Sequence, residues 1–405
     1  MSTILIVCTT PDERAEMALQ EARALGYRCI FSGDKADEKI LALAAACYEI
    51  DWENWESLLH IAKLEKVDGI VGLCDKAMIP VAKVCQVLNL PCSSPESMNS
   101  LISKNSFREV QKRASVFYPK YFTAAEPDEL DKKCAPLCFP VIVKPVLCSS
   151  SFGQTVVYDI EGLKKAFPTA SASSRNHMVC VEEYVASGSL RCIELDIFVM
   201  DGKILWDGTR ESYRPENAPL RPIYDVYPAV LTKEENAELQ NTVSAILQEA
   251  GAVLGEYNIE GFFTREGKFF VIEINPRQAG YYNPQHIELF CGVNLTKLLL
   301  TTALGDRSYF EELKTFSRLR KYMIAYSVFS EKAGILDHVH VAPELRQHLL
   351  EERFPLGEKT GCFVPNILTA KRPISILVFE FASREDLEEM RLQLETMVYA
   401  VLAEQ

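Results

Sequence analysis

Residues 271–277 read VIEINPR, and because side chains alternate across a strand, Glu273 and Asn275 project from the same face. Upstream, NIEGFF carries Glu260 toward a turn centred on Glu266-Gly267, so an antiparallel return brings Glu260 alongside the Glu273 end. Two carboxylates and one amide oxygen form a hard, oxygen-only donor set suited to Mg²⁺, an ion that can hold substrate phosphates at the same time. A sheet face of solvated acids is the competing reading. The hydrophobic neighbours and the following Asn-Pro-Arg weigh against it.

Other segments carry chemistry less specifically. FPVIVKPVLCSSSFGQ, over 139–154, delivers Lys144 on a β-run and follows it with Ser149, Ser150, Ser151 and Gly153. Small residues let backbone N–H groups approach phosphate oxygens while the ammonium supplies a point charge, though an ordinary serine-rich turn has the same composition. VCVEEYVASG, over 179–188, ends a strand in Glu182, Glu183, Tyr184 and Val185, which suits an adenine edge or an exposed linker. TRESYRPENAPLRPIYDVYP, over 209–228, places Arg210, Arg214 and Arg221 in a long segment between strands. These arginines either grip a substrate carboxylate in bidentate fashion or stand solvated in a loop. Asp75, at the end of a strand, faces a ligand crevice or caps a helix. His286 has the chemistry of a general base near neutral pH, and equally that of a helix-face histidine with a structural hydrogen bond.

The elements that must position these groups change texture along the chain. A short apolar strand at Thr3 to Val7, a helical stretch to Leu25 and a stop at Gly26 read as β-turn-α. Further strands at 28–32 and in VDGIVGLCD (67–75) imply a parallel sheet with helices on its faces. The first βα turn lacks GxGxxG, which argues against a dinucleotide site there. LPCSSPES marks a break near residue 95. Between 139 and 275 short strands joined by turns, two of them at Asp201-Gly202 and Glu266-Gly267, predict an antiparallel α+β region. From about Lys321 further strands follow, with a closing helix predicted over Glu385 to Leu402 from its three-to-four spacing. The division expected is 1–95, 96–320 and 321–405.

Bulk properties set outer limits. The 405 residues exceed one ordinary core, and 48% hydrophobic with 24% charged is a globular composition. A net charge of -13 argues against duplex nucleic acid or an anionic membrane as partner, since both reward clustered Lys and Arg. No apolar stretch is long enough to span a bilayer and the N-terminus does not read as a signal peptide. Thirteen cysteines without a CxxC pair fit reduced thiols, so a cytoplasmic location is expected. The six histidines show no zinc spacing, and His338 and His340 look like one face of a strand.

Taken in order, these segments resemble the ATP-grasp superfamily, and the resemblance covers nearly the whole chain. VDGIVG and then LPCSSPESMNSLISKNSFREVQKRA look like that family's preceding domain and the lysine-bearing helix that opens its nucleotide fold. The implied architecture is α/β and α+β in three lobes: a Rossmann-like parallel α/β domain, a central ATP-grasp fold and a lid-like α+β domain. The resemblance implies that Lys104 and Lys144 are the ATP lysines, that Ser149, Ser150, Ser151 and Gly153 form the phosphate loop, and that Glu182, Glu183, Tyr184 and Val185 form the adenine hinge. Glu194 or Asp196 becomes the ribose acid. Glu260, Glu273 and Asn275 fall on the metal positions for two Mg²⁺ ions, with Mn²⁺ as a substitute. Arg277 matches the arginine at the transferred phosphate and activated carboxylate, and Gly280 the close-approach position. Three departures matter. SSSFGQ lacks the extra glycine and the valine that relatives often carry, extra residues separate Gly188 from Glu194, and RQAGYYNPQH stands where glycines commonly follow the arginine, so that Tyr281, Tyr282 and His286 shape a particular pocket.

The implied activity is ATP-dependent coupling of a carboxylate to an amine through an acyl phosphate, releasing ADP and phosphate, most similar to stand-alone amino-acid ligases that make dipeptides. The alternatives are an enzyme similar to phosphoribosylamine-glycine ligase or to a biotin carboxylase, and, from another class, a nucleotide sensor that keeps the fold without turnover. Partners implied are small-molecule carboxylate and amine substrates, with neither nucleic acid nor membrane, and with homodimerisation left open.

Overall fold

The computed structural model describes residues 1–9, 12–51, 54–148, 153–185, 191–215, 222–315, 320–357, 359–370 and 372–403. Four strands near the start, β1 (Thr3–Val7), β2 (Arg28–Gly33), β3 (Ala46–Glu49) and β4 (Gly69–Gly72), pair in parallel in the order β3-β2-β1-β4. The TILIV strand is buried along its whole length because apolar clusters cover both faces, which is why it carries no polar alternation. The helix Glu13–Ala24 starts where the Asp12 carboxylate accepts from the Arg14 and Ala15 N–H groups. It ends before Gly26, whose φ of +77° suits glycine. The parallel α/β opening implied by the sequence is present.

A second sheet contains β5 (Tyr121–Ala124), β6 (Val141–Pro145), β7 (Thr155–Val157) and β8 (Val179–Glu183), antiparallel in the order β5-β8-β6-β7. The helix Ile160–Ser173 covers it through Leu163, Phe167 and Ala170. The remaining strands are β9 (Arg191–Met200), β10 (Lys203–Tyr213), β11 (Tyr224–Tyr227), β12 (Leu254–Phe263), β13 (Phe269–Asn275), β14 (Tyr322–Val328), β15 (Gly334–Val341), β16 (Leu349–Arg353), β17 (Phe363–Val364), β18 (Ser375–Phe381) and β19 (Val398–Leu402). Eight of them form one antiparallel sheet in the order β13-β12-β9-β10-β11-β14-β18-β16, and β17-β15-β19 pack against its far end through Leu336, Val339 and Val398.

Alternation along β9 sorts the two faces of the large sheet. Ile193, Leu195, Ile197 and Val199 join Val243 and Ile246 of the helix Lys233–Glu249 in one core. Phe198 and Met200, on the other face, meet the helices Asn283–Cys291 and Leu295–Ala303. Farther along that second face stand Glu194 and Asp196, so it is apolar at one end and charged at the other. The dipeptides Asp201-Gly202 and Glu266-Gly267 do join β9 to β10 and β12 to β13 as read from the sequence. Among the described residues no helix is long and apolar enough to cross a membrane.

Two expectations are corrected. Arg210 lies within β10 rather than in a loop, because the strand continues to Tyr213 and pairs with β9 along that length. The expected closing helix divides into a helix over Arg384–Arg391, a single turn over Leu394–Met397 and the strand β19. VYAVL pairs antiparallel with β15, Val398 opposite Val341 and Leu402 opposite Leu336. Its β-branched and aromatic residues favour a pleated surface once an edge is available, and that overrides the helical period.

The break near residue 95 is fastened to the large sheet by Ser93, which is 1% exposed. Its hydroxyl donates to the Leu254 carbonyl at 2.9 Å, accepts from the Val253 and Leu254 N–H groups at 3.0 Å each, and lies 3.1 Å from the Tyr257 hydroxyl. Ser93→Ala is expected to lower stability by about 2 kcal/mol, since several buried polar groups lose their partner together. A urea titration checks this, as a lower midpoint at an unchanged slope.

Candidate active site

The helix Lys104–Arg113, the strands β6 and β13 and the start of the helix Asp75–Leu88 meet around a cleft of 270 Å³. Its walls include Lys76, Lys104, Lys144, Arg175 and Arg277, with Glu273 and Asn275 at the end of β13 and Asp75 on the N-terminal lobe. Cationic groups thus face hard oxygen donors across one space. A larger cavity of 380 Å³ beside Trp206, Lys233 and Phe290 contains none of the residues singled out in the sequence.

Lys104 begins its helix, and its Nζ donates to the Cys148 carbonyl at 2.9 Å. Lys144 stands on β6 diagonal to Glu182 on β8, since Ile142 pairs with Glu182 and Lys144 with Cys180. Lys144 Nζ donates to Glu182 at 2.9 Å, and Arg108 donates to both oxygens of the same carboxylate at 3.1 Å each. Burial alone would raise the Glu182 pKa, but Arg108 and then Lys144 hold it down to about 2. The carboxylate expected at the hinge is therefore engaged inside a buried charge cluster. Glu183 instead accepts from the Cys138 N–H at 2.9 Å, and Tyr184 is exposed, its N–H donating to the Pro140 carbonyl. Gly153 has φ +70°, and a Cβ there would meet Ser173 Oγ at 2.6 Å. Ser149, Ser150, Ser151 and Arg221 lie outside the described residues.

Register across three strands arranges the acids in rows. Glu194 on β9 pairs with Glu260 on β12, which pairs with Glu273 on β13; one step along, Asp196, Asn258 and Asn275 form the next row. The hairpin return inferred from the sequence thus sets Glu260 opposite Glu273. Asn275 Nδ2 donates to Glu273 at 3.1 Å. Two carboxylates and an amide oxygen are adjacent and all-oxygen, so this set fits Mg²⁺ when phosphate oxygens complete the shell. The rows are flanked by arginines. Arg210, with no exposure, reaches Asp196 at 2.5 Å, Glu194 at 2.6 Å and Asp225 at 3.3 Å. Arg214 reaches Glu260 at 2.8 Å and Glu194 at 3.5 Å. Burial pushes Glu260 up to about 7 and Asp225 up to about 6, each only partly offset by its arginine. Glu194 and Asp196, the two alternatives for the ribose acid, are both tied to Arg210, and Arg210 itself is enclosed by carboxylates.

The segment after β13 is gripped by the N-terminal lobe. Arg277 Nε donates to Asp75 at 2.9 Å, Arg14 donates to the Gln278 carbonyl, and the Tyr281 N–H donates to Glu13 at 2.8 Å. The N-cap of the helix is Cys74 rather than Asp75, whose carboxylate bonds Arg277 at the wall of the cleft. Tyr281 and Tyr282 have φ of +56° and +60°, and the Arg353 guanidinium lies 4.5 Å from the centre of the Tyr282 ring. Gln278, fully buried, donates to Glu256 and Thr296 at 3.1 and 3.0 Å. Sequence reasoning missed Arg108, Arg175, Glu256 and Gln278. Only Arg108 left a signal, a charged residue four after Lys104 on a helix face otherwise built from Phe107 and Val110.

His286 is 2% exposed and neither ring nitrogen has a hydrogen-bond partner among the described residues. Burial first, then repulsion from Arg210 and Arg353, pushes its pKa down to about 3, so the ring is neutral and a weak base. An unfolded imidazole titrates near about 6.5, so the unfolded state binds the extra proton between the two values and stability falls as pH drops through that window. His286→Gln is expected to lose about 2 kcal/mol less than wild type between pH 7 and pH 5. Denaturant midpoints at the two pH values check this, and parallel losses would show that the ring is not held neutral.

The family model for the ATP-grasp N-terminal domain matches residues 19–92, and that for the D-ala D-ala ligase C-terminus matches residues 111–280. The uncharacterized protein y4rH of Sinorhizobium fredii (strain NBRC 101917 / NGR234) is 28% identical over 300 residues, covering 72% of this chain and 60% of that protein. The carbamoyl phosphate synthase large chain of Campylobacter jejuni is 26% identical over 277 residues, covering 66% of this chain and 25% of that one. The chain thus spans about three fifths of the first relative and a quarter of the second. The crystal structure of L-amino acid ligase from Bacillus licheniformis has the same fold, with a TM-score of 0.82 at 18% identity over 100% of this chain and 99% of that one. Residues 19–92 and 111–280 thus match an ATP-grasp N-terminal domain and a D-ala D-ala ligase C-terminus, in the order the sequence implied and on a fold shared with the L-amino acid ligase from end to end.

Proposed function

We propose that this protein is an ATP-dependent ligase that activates a carboxylate as an acyl phosphate and joins it to an amine, with amino acids as substrates. The observation that carries the reading is the cleft in which Lys104, Lys144 and Arg277 face Glu273 and Asn275. Phosphoryl transfer spreads negative charge over equatorial oxygens, and positioned cations are what a protein contributes to it. In this reading Lys104 and Lys144 hold the nucleotide phosphates, with the segment around Gly153 beside them. The backbone of Glu183, Tyr184 and Val185 borders the base. Glu260, Glu273 and Asn275 hold the two Mg²⁺ ions, which when bound neutralise phosphate charge. Arg277 meets the carboxylate being activated, and Gly280 lets a backbone N–H approach the oxyanion formed when the amine attacks.

The likeness in fold to an L-amino acid ligase over the whole chain supports amino acids as the substrate class. Arg214, 12% exposed beside Glu260, is the arginine of the β10 segment nearest that chemistry. We further read the chain as three functional segments, 1–95, 96–320 and 321–405, working in the cytoplasm, where thirteen free cysteines stay reduced. A phosphate-release matrix with single and paired amino acids, followed by mass analysis of products, tests the substrate class. Release with glycine and a phosphoribosylamine source alone, or with bicarbonate alone, would move the assignment elsewhere in the superfamily.

Arg277→Ala is expected to keep Mg-ATP binding within about threefold while turnover falls about a hundredfold or more, because the lost contact is made to developing charge. Near-wild-type turnover by that variant would remove Arg277 from the transfer step.

A further inference from the structure

Arg108 is 2% exposed and all of its donors are used. Nε and Nη2 hold the two Glu182 oxygens at 3.1 Å each, a fork matched to a carboxylate. Nη1 donates to Gln111 at 2.6 Å and to the Val271 carbonyl at 3.4 Å, and Nη2 also donates to the Ile272 carbonyl at 3.0 Å. One side chain therefore ties the helix that begins at Lys104, the strand β8 that carries Glu182, and β13 just before Glu273.

The charges in this pocket do not balance. Glu182 is the carboxylate shared by Arg108 and Lys144, and one of its oxygens lies 2.9 Å from Lys144 and 3.1 Å from Arg108. Two cations and one anion leave one positive charge, and Lys144 is the member of the trio whose side chain retains some exposure, 7%, at the wall of the cleft. Without Arg108, Glu182 and Lys144 would neutralise each other one to one in a low-dielectric site, where such a pair is strongly coupled.

We infer that Arg108 is a positioning residue: by occupying Glu182 it keeps the charge of Lys144 available to the nucleotide phosphates, and it holds that charge in fixed relation to the β13 strand. This rests on the ligase reading, in which Lys144 meets phosphate. A residue that merely filled the core would affect stability alone. A residue that manages charge has a different signature, because removing Glu182 as well should undo the damage.

The test is calorimetric binding of Mg-ATP to the full chain, with melting temperatures recorded for every variant. Arg108→Gln is expected to weaken binding about tenfold, and Arg108→Gln/Glu182→Gln to recover to within about threefold of wild type. Arg108→Lys, which keeps the charge but not the fork, should fall between wild type and Arg108→Gln. Glu182→Gln alone should tighten binding about threefold, since an anion near the phosphates is removed. Weak binding by the folded double variant would overturn the inference while leaving the ligase reading intact. If Arg108→Gln does not fold, Glu182→Gln decides, and weaker rather than tighter binding overturns it. Absence of Mg-ATP binding by the wild-type chain would instead sink the nucleotide reading itself, and this inference with it.

Discussion

Arg210 occupies the middle of the eight-stranded sheet with no exposure, and its guanidinium fork is shared by Glu194 and Asp196 on β9 and Asp225 on β11. An ionised carboxylate deprived of its partner in such a place costs several kcal/mol, whereas an exposed pair such as Arg307 with Asp201 contributes under about 1 kcal/mol. The buried cluster is therefore the one that constrains the architecture. It lies on β9, β10 and β11, the strands that join the β12–β13 hairpin to the β14-β18-β16 side of the sheet. Because Glu194 is also the first member of the row that continues through Glu260 to Glu273, the same arginine begins the alternation of charge on which the candidate metal site depends.

Charge of the opposite sign is handled in the same way at the cleft. Lys144 and Arg108 share Glu182, while Arg277 is held by Asp75 from the N-terminal lobe. Neither cluster is neutral by itself: three carboxylates surround Arg210, and two cations surround Glu182. Of the two, the Glu182 cluster reaches the cleft, through Arg108 and Lys144, while the Arg210 cluster is tied to the Glu260 and Glu273 row through Glu194. A site built from neutralised pairs would be more stable empty and would have less to offer a charged ligand.

Much of this was legible in the sequence wherever a local period or turn decided it. Alternation put Glu273 and Asn275 on one face, and the Glu266-Gly267 turn put Glu260 beside Glu273, because both are properties of a hairpin of fewer than twenty residues. What was not legible depended on distant partners. Arg277 and Asp75 are 202 residues apart, so neither the capping nor the crevice reading of Asp75 could be preferred beforehand. Arg210 reads as a loop residue because the segment 209–228 is long and shows no clear periodicity; its strand exists because β9 and β11 flank it and supply three carboxylates. VYAVL was read as helix because its apolar spacing allows it, and the open edge of β15 settled the matter. In each case local propensity was weak and tertiary context chose.

The segment RQAGYYNPQH is held in place by contacts from distant parts of the chain. Two consecutive non-glycine residues in the left-handed region, Tyr281 and Tyr282, cost on the order of 1 kcal/mol or more each and persist only when their surroundings fix them. Those surroundings come from three parts of the chain: Glu13 accepts the Tyr281 N–H, Arg353 of β16 packs on Tyr282, and Tyr227 of β11 bonds Asn283 at the head of the following helix. The phosphate side of the cleft, by contrast, draws mainly on the helix Lys104–Arg113 and the strands β6, β8 and β13. The Lys104 and Lys144 side of the cleft is thus fixed by a compact set of contacts, whereas the backbone beyond Arg277 depends on the N-terminal strands and helices and on the far end of the large sheet together. That separation explains, in physical terms, why the VIEINPR pattern of β13 resembles a broad superfamily while the residues after Arg277 depart from it.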